Sequence, residues 1–147
     1  MNSNTLKAKN ELEKQRCTCV FANGENVTIC SEHGLKPLLT RLGDSKLQKG
    51  FSAADKVVGK APAFLYVLLG ASEVYAPVMS EGGKRVLEQY GIGAFCDTLT
   101  GEIRNSDNTD ICPMEKAVSC AGSPDEALEC ISAKIAQMNG NESKPKE

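Results

Sequence analysis

Residues 73–97, EVYAPVMSEGGKRVLEQYGIGAFCD, decide the fold. Glu73 to Met79 is a run of strand length that carries Val74, Tyr75 and Val78, the branched and aromatic types that suit a pleated surface. Ser80 then offers a side-chain oxygen to the free amides of a helix that runs through Tyr90 and stops at Gly91. Ile92 to Asp97 is a second strand-like run. A strand, a helix and a strand in direct succession predict parallel pairing through a right-handed crossover.

Upstream, Cys17 to Phe21 and Val27 to Cys30 flank an Asn23-Gly24 turn, which predicts an antiparallel hairpin. Before it, Asn4 to Arg16 forms a mostly charged outer helix resting on Leu6, Ala8 and Leu12. Leu35 to Leu42 is a short helix with Pro37 in its first turn. After a polar loop from Asp44 to Gly50, Ser52-Ala53-Ala54-Asp55 reads as the cap of a buried helix that continues to Leu69, with Gly70 as its stop. Val57, Val58, Ala61, Leu65, Leu68 and Leu69 recur in it at helical spacing, and Pro62 is expected to bend it. Downstream, Thr98 to Ile111 is turn-rich, with at most a short edge strand at Glu102 to Asn105. Cys112-Pro113-Met114-Glu115 opens a short helix ending near Gly122, and Ser123-Pro124-Asp125-Glu126 starts a last one to about Met138. This order predicts three α/β/α layers around a mixed sheet with an N-terminal antiparallel hairpin. One domain over residues 1–138 and a disordered tail over 139–147 complete the expected layout.

At 147 residues the chain matches one domain of about 150 residues, and 41% hydrophobic with 24% charged residues is a globular balance. Seventeen basic against nineteen acidic side chains give a net charge of −2 without a long basic tract, so no nucleic-acid partner is expected. The start lacks the apolar core of an export signal. The longest apolar stretch, Ala61 to Leu69, is far short of the ~20 residues that span a bilayer. No membrane partner is expected. Seven cysteines, an odd number, then read as reduced thiols of a cytoplasmic protein.

An outer helix, an antiparallel pair and parallel strands joined by helices are also the layout of the cytidine-deaminase-like fold. A zinc deaminase carries H-x-E at one helix start and P-C-x-x-C at the next. Here those starts read Ser52-Ala53-Ala54-Asp55-Lys56 and Ser80-Glu81-Gly82-Gly83-Lys84, with no ligand set at either. A relocated site could draw on Cys17 and Cys19, read as sharing one strand face, with Cys30 and His33. Buried cysteine is more commonly a small hydrophobe, so neither a metal nor another cofactor is expected.

Gly34-Leu35-Lys36-Pro37-Leu38-Leu39, the run from Ala54 to Ala61, Val78-Met79-Ser80 with Leu87 and Tyr90-Gly91-Ile92, and Cys112-Pro113-Met114-Glu115 together resemble the signature of a prokaryotic, bacterial-type family, domain of unknown function 1893. The resemblance spans about residues 12 to 130 and implies a cytidine-deaminase-like fold without the zinc signature. It brings no established reaction. The chain departs from the family pattern at Pro62, where alanine is usual, and at Ser106, where arginine is expected after Asn105.

Lys56 and Lys60, one helical turn apart in this reading, lie beside Asp55. Ligands of open α/β sheets sit beyond the carboxyl ends of the strands, where helix starts converge. Amides at Ser52 to Asp55 and at Ser80 to Gly83 would attract an anion that Gly82 and Gly83 allow to approach closely. The ligand-binding candidates are therefore Ser52, Asp55, Lys56, Lys60, Ser80 and Asn105. The plainer alternative makes the serines simple caps and the lysines solvated.

Cys112, directly before Pro113, is the candidate nucleophile, and Glu115 the candidate acid or base. A buried cysteine and an ordinary helix-start glutamate are the alternative. Asp107, Asn108 and Asp110 could hold a ribose hydroxyl or a cation, although such residues commonly form turns. Three functions follow from this reading. The first is a zinc-free deaminase-like protein binding a small anion, a nucleotide or related phosphate. The second is an enzyme working through Cys112, and the third a non-catalytic module that assembles into a homo-oligomer.

Overall fold

In a computed structural model, residues 1–32, 34–43, 49–104 and 110–143 are described. They form a mixed sheet of six strands and six helices. Helix α1 (Ser3–Lys14) starts at Asn2, whose side chain accepts from the Thr5 amide at 2.8 Å. It buries Thr5, Ala8 and Leu12 on one sheet face, whereas Leu6, expected to rest on the sheet, is exposed. Strands β1 (Cys19–Asn23) and β2 (Asn26–Cys30) pair antiparallel from Cys19↔Cys30 to Asn23↔Asn26. Gly24, at φ 65°, takes the left-handed conformation that the two-residue turn between them requires.

After α2 (Lys36–Leu42), the structure corrects the sequence reading. Ser52 to Asp55 is not a helix cap but strand β3 (Ser52–Asp55), antiparallel to β1 and parallel to β5 (Glu73–Ser80). Both Ala53 and Ala54 are fully buried, one in each core cluster, so this strand is covered on both faces. A short run of small residues has no strand alternation to display, and sheet pairing outweighs its helix propensity. Val57 and Val58, read as helix positions, are β4 (Val57–Val58), parallel to β5 through Val57↔Val78.

Helix α3 (Lys60–Leu69) therefore begins eight residues after Ser52, with Gly59 as its N-cap. Pro62 falls in its first turn, where a missing amide costs little, so the expected mid-helix bend has no cause. Helix α4 (Glu81–Gln89) joins β5 to β6 (Gly93–Thr100), and these two strands are parallel. Strand β6 continues past Asp97 because Ser80↔Thr100 keeps it paired. Helix α5 (Pro113–Ala117) is shorter than predicted, and α6 (Pro124–Ser143) runs past Met138 into the stretch read as a tail. One sheet face packs on α1 through Val20, Ala22, Ala54 and Tyr75. The other carries the larger core, including Phe21, Val58, Leu65, Leu87 and Ile131. Among the described residues, no helix is long and apolar enough to cross a membrane.

Candidate functional site

The carboxyl ends of β3 and β4 lead directly into the start of α3, and α5 lies across that start. Glu115 of α5 accepts from the Lys60 amide through Oε1 at 2.7 Å and from the Ala61 amide through Oε2 at 2.9 Å. Pro62 has no amide to satisfy, and Ala63 donates to the Gly59 carbonyl at 3.1 Å. Thus the amides of Lys60, Ala61 and Ala63 all have partners within the chain. The negative group that the helix start favours is the protein's own. Glycine is required beneath it: a Cβ on Gly59 would lie 2.5 Å from the Glu115 Cδ. A Cβ on Gly83 would likewise lie 2.8 Å from the Gly59 carbonyl, so the starts of α3 and α4 meet through two glycines. Burial pushes the Glu115 carboxyl up, against the opposing pull of the Ala61 and Lys60 amides and the Lys60 charge.

Beside this contact lies a cavity of about 300 Å³. Leu35, Val57, Pro62, Ile103 and Met114 form apolar wall, and Thr18, Cys19, Asp55, Lys56, Cys112 and Glu115 supply its polar groups. Asp55, at the end of β3, accepts from the Tyr66 hydroxyl at 2.8 Å. Burial pushes its carboxyl up to about 7, although Tyr66 and the Val57 and Lys56 amides favour the charged form. Burial also pushes the Tyr66 phenol well up. Asp55 is therefore a carboxyl that can present either a proton or a charge near neutral pH.

Residues 7–135 match the TM1506 family, described as a domain of unknown function (DUF1893). The chain belongs to this family. A crystal structure of a DUF1893 family protein from Thermotoga maritima is similar, with TM-score 0.81 and 24% identity over 91% of this chain and 92% of that one. At that identity the likeness is one of fold. No curated protein matches the chain.

In this DUF1893 protein the residues singled out from sequence are only partly gathered. Asp55, Lys56, Cys112 and Glu115 line one cavity. Lys60 lines another, with Arg85 and Gly82, and its ammonium donates to the Ser119 carbonyl at 3.3 Å. The two lysines therefore do not share a helix face, because Lys56 precedes β4 and Lys60 opens α3. Ser52 lies at the opposite end of β3 from Asp55, fully buried, where it takes a hydrogen bond from Thr5 at 2.8 Å. Ser80 caps α4, accepting from the Gly83 amide at 2.9 Å, and Gly83 packs on Gly59.

Cys112 stands at the N-cap of α5 and makes no side-chain capping bond. Glu115, paired with it in the sequence reading, is held by the α3 amides instead. Cys17 and Cys19 do not share a face as expected, since they belong to opposite core clusters. Among the described residues, no three His, Cys, Asp or Glu side chains group as a metal site. Asp110 is exposed and pairs with Lys116. His33, Asn105, Ser106, Asp107 and Asn108 lie outside the described residues. Tyr66 is a site residue that the sequence reading does not name, and Cys19 enters that reading only as a possible metal ligand. Tyr66 sits eleven positions from its carboxylate partner, and no local spacing signals that contact.

Proposed function

We propose that this protein has the cytidine-deaminase-like fold without its zinc centre and binds a small nitrogen heterocycle, a nucleobase carried as a nucleoside or nucleotide. The observation that carries the reading is Asp55, a carboxyl of raised pKa in an otherwise largely apolar cavity of about 300 Å³. Apolar walls favour the faces of a planar ring, and a carboxyl that can donate or accept pairs with a ring edge bearing N–H and C=O groups. Lys56, the cationic side chain among the described lining residues, suits a phosphate attached to such a ring.

Zinc does not fit this arrangement. The α3 start reads Gly59-Lys60-Ala61-Pro62 and the α4 start Ser80-Glu81-Gly82-Gly83, without histidine or cysteine, and the glycine contact leaves no room for larger side chains. The anion-binding role moves from the α3 amides, which Glu115 occupies, to Lys56. The finding that Cys112 faces the same cavity keeps a covalent reaction as the second reading.

Thermal-shift titration with nucleobases, nucleosides and nucleoside monophosphates tests the first reading. At a hundred times the dissociation constant a ligand adds about 2.7 kcal/mol of stability. Asp55→Asn should abolish the shift for every member of the panel, and Lys56→Ala only the extra shift due to phosphate. An unresponsive wild type, or an unchanged response in Asp55→Asn, refutes the proposal.

A further inference from the structure

One pair of thiols is given no role in the ligand reading, although Cys19 also lines the cavity. Cys19 and Cys30 face each other across the β1–β2 ladder. Residues so placed have Cα atoms about 4.5–5.5 Å apart, inside the about 4.4–6.8 Å that a disulfide spans. Both side chains pack in the larger core cluster. They differ in access. Cys19 is 2% exposed, whereas Cys30 is half-buried on β2, the outer strand of the sheet.

The facing Cys19 thiol and the Arg41 guanidinium, stacked 4.4 Å from the Phe21 ring centre, hold the Cys30 thiol below its ordinary range. The neighbouring Cys30 and burial push the Cys19 thiol far above its ordinary range. Cys17, two residues away, lies in the opposite cluster, and burial pushes its thiol up as well.

We propose that Cys30 and Cys19 form a peroxide-sensitive dithiol, in which Cys30 is the residue oxidised first and Cys19 resolves it into a reversible disulfide. The Cys30 thiolate attacks one oxygen of hydrogen peroxide. The O–O bond breaks, and Cys30 becomes a sulfenic acid while the departing hydroxide takes up the thiol proton as water. The Cys19 sulfur then attacks the Cys30 sulfur, an S–S bond replaces the S–O bond, and the second water leaves with the Cys19 proton. Two thiols thus lose two electrons and two protons, and one peroxide is reduced to two waters. A dithiol reductant reverses the bridge. This proposal holds whether or not the cavity binds a heterocycle.

The test uses the reduced full chain, one equivalent of hydrogen peroxide and alkylation of the remaining thiols. Digestion must include a glutamyl endopeptidase, because Glu25 lies between the two cysteines and no Lys or Arg does. Mass analysis should show the Cys19 and Cys30 peptides joined with the loss of two hydrogens. The link should persist in Cys17→Ser and vanish in Cys19→Ala, where dimedone should trap Cys30 as sulfenic acid. If Cys19→Ala does not fold, the wild-type and Cys17→Ser maps decide. A bridge through Cys17, or modification of Cys112 or Cys120 with no bridge between Cys19 and Cys30, overturns the proposal.

Discussion

Removal of the Glu115 carboxylate from the start of α3 should destabilise the fold, and the size of the effect should depend on what occupies position 59. Two charge-assisted hydrogen bonds, at 2.7 and 2.9 Å, would suggest about 3–6 kcal/mol at about 1.5–3 kcal/mol each. That sum overstates the net effect, because burial already pushes this carboxyl up and its removal relieves that cost. Loss of a helix cap costs about 0.5–2 kcal/mol, so about 2 kcal/mol is expected for Glu115→Ala. Gly59→Ala should cost a similar amount by a different route, because its Cβ would lie 2.5 Å from Cδ and within 2.6 Å of both carboxylate oxygens. No other atom is among the three nearest to that Cβ, and φ at Gly59 is −102°, which alanine accepts.

The two substitutions therefore remove the same interaction. The double variant should be about as stable as Glu115→Ala alone, leaving a coupling energy of about 2 kcal/mol. Urea unfolding of the four proteins, followed by far-UV circular dichroism, measures it. Additive costs would refute the reasoning, since they would mean that Gly59 is needed for its backbone rather than for the carboxylate above it.

The protonation of Asp55 also predicts a pH profile. Its folded-state pKa of about 7 lies above the ordinary 3.8, so protonation favours the folded state. The associated stability is full below pH 4 and lost as the pH rises through 7. About three units at about 1.36 kcal/mol each set an upper size of about 4 kcal/mol, and Asp55→Asn should remove that component of chemical denaturation measured from pH 4 to 8. The two glycines that open α4 should respond in opposite directions. Gly83→Ala drives a Cβ within 2.8 Å of rigid backbone and should cost about 1–3 kcal/mol, whereas Gly82→Ala meets only the Ser80 oxygen at 4.0 Å and should gain up to about 1 kcal/mol by calorimetry.

Much of the scaffold was legible because its elements carry local chemistry. Ser80 and Gly91 bracket α4 through a side-chain acceptor and a positive φ, and Asn23-Gly24 marks a turn with little room for another conformation. Segment 52–58 was misread because its character comes from what surrounds it. Ala53 and Ala54 are apolar on consecutive positions, and only neighbouring β1 and β5 make that a strand. The observed helix start is Lys60 rather than Ser52, and the site changes with it: Lys56 is separated from Lys60, and Ser52 is buried at the far end of its strand. The expectation of an anion at that helix start rested on sound electrostatics, but the anion is Glu115, fifty-five residues from the Lys60 amide it holds. No spacing rule reaches that far. Asp55 is singled out in the sequence as a charge beside two lysines at an expected helix start, whereas its partner Tyr66 is visible only once α3 packs on the sheet.

The short helix α5 gives this protein a tethered counter-ion. A free metabolite leaves its binding site empty when its concentration falls, but a carboxylate carried on the chain is present at a local concentration set by covalent connection. The α3 start is therefore insulated from swings in cellular phosphate or acetate. In Glu115→Gly that insulation is lost, and millimolar formate or acetate becomes a means of restoring from outside what the wild-type chain always carries.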